Sequence, residues 1–106
     1  MSDELEPLRK ATKGLLYPSD TDAPIEVVSG VTPPANAEVV TLDAFFDELA
    51  DTDDAARFAK LRVAVDATLS DAKVYRVGSA KGIAIFVLGT TAGGATGGIK
   101  TTSIET

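Results

Sequence analysis

The chain has 106 residues, no Cys, no His and no Trp, and a formal net charge of −6. That length is one domain around a single core, expected to span residues 1–106. The missing Cys and His exclude disulfides, zinc centres and the Ser-His and Cys-His pairs of nucleophilic catalysis.

The charge is unevenly placed. Gly14 to Ala56 holds ten carboxylates and no Lys or Arg, so residues 1–56 carry −10 and residues 57–106 carry +4. A one-sided field of this kind speaks to partner choice and association rate rather than to fold. It argues against direct nucleic-acid binding by the acidic half and for a basic partner, provided the carboxylates share a face. The competing reading is a solvated acidic surface that keeps a small protein soluble. The start Met1-Ser2-Asp3-Glu4-Leu5-Glu6 lacks the basic and apolar regions of a secretion signal. The longest apolar run, Ile83 to Leu88, is too short to span a bilayer. The expectation is a cytoplasmic protein with no membrane partner, monomeric when free.

In chain order, Ser2 is placed to cap a first helix with Leu5, Leu8, Thr12 and Leu15 on one side, ended by Gly14. Tyr17 to Pro24 reads as a turn-rich loop, and Ile25 to Ser29 as a short strand. Gly30 to Asn36, with Pro33-Pro34, is an extended connector. Glu38 to Val40 is a brief strand entering a helix capped by Thr41, with Leu42, Phe45, Phe46 and Leu49 on its buried side.

Asp51-Thr52-Asp53-Asp54 then opens a longer helix, its acids at the positive end, with Phe58, Leu61, Val65 and Leu69 as one apolar stripe. Val74 to Val77 is predicted as a strand, Gly78 to Gly82 as a turn, and Ile83 to Leu88 as a central strand, apolar on both faces. Thr90 to Gly98 reads as a glycine-rich loop before a last strand, Ile99 to Ile104. Three helices and about five strands, the C-terminal ones antiparallel, make an α/β domain.

Most chemical signatures fail. Asp51-Thr52-Asp53 begins like a calcium loop, but Ala56 and Arg62 stand where the turn glycine and the bidentate Glu belong. The run Gly93 to Thr101 resembles a phosphate loop, but Ile99 separates Gly98 from Lys100 and a strand follows. No cofactor is called for, and catalysis is not expected. Two segments remain as candidates for recognition. Ser19, Asp20 and Asp22 present short acceptors with no base beside them; ordinary turn chemistry also explains them. At the other end, Glu105 and Thr106 offer a side-chain carboxylate, a hydroxyl and a main-chain carboxylate, hard oxygens suited to a partner's magnesium or basic site.

Gly14-Leu15-Leu16-Tyr17 with Ser19-Asp20, then Pro24-Ile25-Glu26-Val27, resemble the N-terminal motif of the cyanobacterial nuclease A inhibitor family. The likeness continues in order through Val39-Val40, Leu42-Asp43, Phe45-Phe46, Phe58 and Lys60-Leu61. It is closest from Val74-Tyr75-Arg76-Val77-Gly78 through Val87-Leu88-Gly89 and Thr91, and ends with Gly98-Ile99, Thr101 and Ile104-Glu105-Thr106. The resemblance implies a three-layer α/β/α sandwich around a largely antiparallel sheet, and a non-enzymatic inhibitor of a metal-dependent, sugar-non-specific DNA/RNA endonuclease. It further implies that Thr106 brings its carboxylate to the partner's metal ion, assisted by Asp20 from the first loop. The alternative is an inhibitor-like acidic module with a different basic partner.

Overall fold

Three helices pack on one sheet in a computed structural model that describes residues 5–17, 23–52, 54–79 and 82–103. The helices are α1 (Glu6–Thr12), α2 (Leu42–Leu49) and α3 (Ala55–Thr68). Two short strands, β1 (Leu16–Tyr17) and β2 (Ala23–Pro24), pair with each other. The main sheet is formed by β3 (Glu26–Ser29), β4 (Glu38–Val40), β5 (Ser70–Ser79), β6 (Gly82–Thr90) and β7 (Thr96–Ser103). Its order is β3-β7-β6-β5-β4, with every neighbour antiparallel. The α/β class and the central place of Ile83 to Leu88 are therefore as the sequence implies.

Register decides which face is buried. Val40 pairs with Val74, Val74 with Val87, Val87 with Ile99 and Ile99 with Val27, so these side chains share one face. Val74, Val87 and Ile99 join Leu8, Phe45, Phe46, Leu49, Phe58, Leu61 and Val65 in a single apolar cluster. All three helices meet in that cluster, so they cover this face. Each such side chain contributes roughly 1.5–3 kcal/mol on leaving water. Leu88 points the other way and stands outside the cluster, yet is only 2% exposed. A second helical layer is not among the described elements.

The connector 30–37 joins strands at opposite sheet edges; residues 31–34 form no regular element around Pro33-Pro34, and a turn at Ala35-Asn36 interrupts the extended connector that the sequence implies. Its start is fixed by the Gly30 and Val31 amides, which donate to the Thr96 carbonyl.

Several boundaries differ from the sequence reading. α1 begins at Glu6 with Leu5 in the capping position and Pro7 in its first turn, rather than at a Ser2 cap; Ser2 is outside the described residues. Thr41 caps α2 as expected, its hydroxyl accepting from the Ala44 amide at 3.2 Å. α3 starts at Ala55, so the Asp51–Asp54 carboxylates precede its first turn instead of occupying it. β5 runs from Ser70 rather than Val74, across a register shift between Ser70 and Lys73, with Asp71 at φ 54°. That bulge interrupts the strand's alternation at its first residues, which the sequence reading leaves unassigned. β7 begins at Thr96, so Gly97 and Gly98 are strand residues, not loop.

Candidate functional site

The described residues fix the bases of both predicted recognition segments. Leu16 pairs with Pro24 and Tyr17 with Ala23, closing a hairpin stem on either side of residues 18–22. The Tyr17 ring stacks on Phe45 of α2, centroids 6.0 Å apart and planes 3° apart, and Phe45 meets Phe46 edge-on at 5.1 Å. On the other side of the stem, the buried Thr101 hydroxyl donates to the Pro24 carbonyl at 3.1 Å. Thr101 lies on β7, two residues before the buried Ser103. The hairpin stem and the end of the last strand are thus neighbours. Ser19, Asp20, Asp22, Glu105 and Thr106 lie outside the described residues; their flanks are what the fold brings together.

Beside the stem, α2 carries the acidic surface. Asp43, Asp47, Glu48, Asp51 and Asp54 are all exposed. Asp43 and Asp47 are four residues apart on α2 and so share one side of the helix, with Asp51 in the turn after it. The sequence stretch without bases is not uncompensated in space, however. Arg62 reaches across from α3 to hydrogen-bond Asp43, and sits 3.8 Å from Asp66. Its guanidinium also lies over the Phe46 ring, 5.8 Å from the centroid. The hydrogen bond to Asp43 raises the Arg62 pKa above its ordinary value, helped by the nearby charges of Asp43, Asp66 and Asp47 and opposed by desolvation. Among the described residues, no ion pair involves Asp47, Glu48, Asp51 or Asp54. The residual negative field is centred there.

A second arginine closes α1. Arg57, on α3, donates to the Lys13 carbonyl at 2.6 Å and to the Gly14 carbonyl at 3.4 Å. These are carbonyls a helix end leaves without partners, and Gly14 supplies the left-handed turn there at φ 72°. Arg57→Ala is expected to lower stability by about 1 kcal/mol, read by urea unfolding, with faster amide exchange confined to α1. An unchanged midpoint would remove Arg57 from the account of α1. None of these long-range partners was legible in the sequence. Arg62 meets Asp43 across 19 positions, Arg57 meets Lys13 across 44, and Thr101 meets Pro24 across 77.

A depression of about 540 Å³ lies between the start of α2 and the bulged start of β5. Asp43, Arg62, Asp71 and Lys73 line it, two acids against two bases, and no hydroxyl nucleophile there is coupled to a base. Among the described residues, no group of three carboxylates is placed to hold a metal ion.

Comparison with curated proteins gives no match. A family model described as nuclease A inhibitor-like protein matches residues 30–106. The span takes in α2, α3 and four of the five strands of the main sheet, together with Glu105 and Thr106, and begins after the hairpin stem. With well over half of the sequence matched, the chain belongs to the nuclease A inhibitor-like family.

Proposed function

We propose that the protein inhibits a metal-dependent, non-specific DNA/RNA endonuclease by inserting its acidic first loop and C-terminal carboxylate into the active site. Membership of a nuclease inhibitor-like family carries this reading, and implies a nuclease as partner. The proximity of the hairpin stem to the end of β7, through Thr101 and Pro24, supports its two-pronged form. In this reading the Thr106 carboxylate approaches the partner's metal ion and excludes the scissile phosphate, and Asp20 assists from the loop, with Ser19, Asp22 and Glu105 beside them. Asp47, Glu48, Asp51 and Asp54 add a field that steers the inhibitor into a groove built for polyanions, an effect that weakens with salt. The inhibitor acts as a cytoplasmic monomer without a cofactor. The three-layer α/β/α arrangement that the family resemblance implies belongs to the same proposal.

The test is a titration of DNA cleavage by a metal-dependent non-specific nuclease from the same source organism. Cleavage is expected to fall linearly to zero near one inhibitor per nuclease. Undiminished cleavage in excess protein would overturn the nuclease as partner and leave an acidic module for another basic protein.

A further inference from the structure

Resting on the inhibitor reading above, we propose that Thr101 is a positioning residue: its hydroxyl locks the stem of the first loop to the strand that ends in the C-terminal segment. β1 and β2 are two residues each and pair only with each other, so their own ladder is too short to hold the stem still. β2 also ends on Pro24, which has no N–H to donate into a sheet. What Pro24 offers is a carbonyl, and the Thr101 hydroxyl donates to it at 3.1 Å. Thr101 is 5% exposed while Pro24 is exposed, so the bond is part-buried, anchored from its inner end.

Thr101 is itself held firmly. Its backbone pairs opposite Ile85 of the central strand, placing its side chain on the face that the helices cover. Two residues on, Ser103 shares that face and is equally buried. The hydrogen bond therefore joins β7, which is paired along its length with the central strand, to a hairpin whose strands are two residues each. It does so where the two recognition segments leave the described structure. Tyr17 on Phe45 steadies the stem from the other side. The directional bond from Thr101 adds a second hold, tying the base of the loop to β7 near its end.

The test uses the full-length protein with Thr101→Val, which keeps the shape and removes the donor, and Thr101→Ser, which keeps the donor. In the free protein, amide exchange at Tyr17 and Ala23 is expected to quicken about tenfold in T101V while Val87 is unchanged, and T101S is expected to restore protection. Unchanged exchange at the stem overturns the lock, whatever the partner. Against the nuclease, T101V is expected to weaken inhibition about tenfold, and to cost nothing further once Asp20 has been replaced by Ala. Equal inhibition by T101V and wild type, or losses that simply add to those of D20A, overturns the positioning role and leaves the inhibitor reading standing. A wild-type protein that does not inhibit removes that reading and the positioning role with it, while the exchange result still decides the lock. Should T101V fail to fold, Thr101→Cys, close in size with a weaker donor, takes its place in both measurements.

Discussion

A single glycine appended after Thr106 is expected to weaken nuclease inhibition by about 30- to 1,000-fold while leaving the thermal unfolding of the free protein unchanged. The magnitude is that of a dominant interface contact, roughly 2–4 kcal/mol. The physical reason is geometric. An α-carboxyl group is ionised at neutral pH and is a compact, hard oxygen ligand suited to magnesium. One added residue moves that charge by roughly 3.5 Å and puts a neutral amide where it stood, so metal contact and charge are lost together. The fold gives little reason for a stability change, because the last described strand residue, Ser103, precedes the alteration by three positions. Glu105→Gln separates the two carboxylates at this end: it is expected to cost less than the added glycine. Inhibition that survives the extension intact would rule out the terminal carboxylate as the inserting group, even if the protein proves to be an inhibitor.

Where sequence and structure agree, the local chemistry was self-sufficient. Thr41 caps α2 with its own hydroxyl, and Phe45, Phe46 and Leu49 fall on the inner side at helical spacing. α3 is equally plain through Phe58, Leu61 and Val65, all buried. Ile83 to Leu88 is central because both its faces are apolar, and the strand order bears this out. The differences arise where partners distant in sequence decide. β1 and β2 are too short for a periodicity to show, and are held by Thr101 and Phe45 from elsewhere in the chain. Asp71 adopts φ 54° inside β5, a conformation that reads locally as a turn. The acidic stretch Gly14 to Ala56 looked free of bases, but Arg57 folds back onto the backbone at its start and Arg62 onto Asp43 within it. For the candidate site, sequence supplied the residues and the resemblance supplied their roles. The described structure adds the stem, the clamp and the neighbouring acidic surface, while Ser19, Asp20, Asp22, Glu105 and Thr106 themselves fall outside it.

The glycine-rich run shows how a compositional signal misleads, and it carries the largest expected effect on stability. Gly98 lies inside β7, paired with Leu88 on one side and Val28 on the other. Its φ is 156°, and a β-carbon built there would stand 1.8 Å from the Val87 carbonyl oxygen and 2.9 Å from the carbonyl carbon. No rotamer relieves this, since a β-carbon has no torsion of its own and the obstacle is main chain. β7 would have to lift off β6, breaking the ladder at the middle of the sheet. Backbone strain and overpacking at such a site each cost roughly 1–3 kcal/mol, so Gly98→Ala is expected to destabilise by about 3–5 kcal/mol. For a domain of this size that lowers Tm by roughly 12–30 °C, a large part of a total stability of about 5–15 kcal/mol. Gly82→Ala is the control, because nothing lies within 4 Å of its β-carbon and its φ is not in the left-handed region. It is expected to stay within about 0.5 kcal/mol of wild type. Thermal unfolding of the two variants side by side separates a packing demand from the general entropic effect of replacing glycine. Equal melting temperatures would mean that β7 does not lie against β6 in this register at Gly98. The same register sets Thr101 opposite Ile85 and directs the strand toward Thr106. Gly98 therefore matters to the proposed site by permitting the close strand approach on which the placement of Thr101 depends, without touching a partner at all.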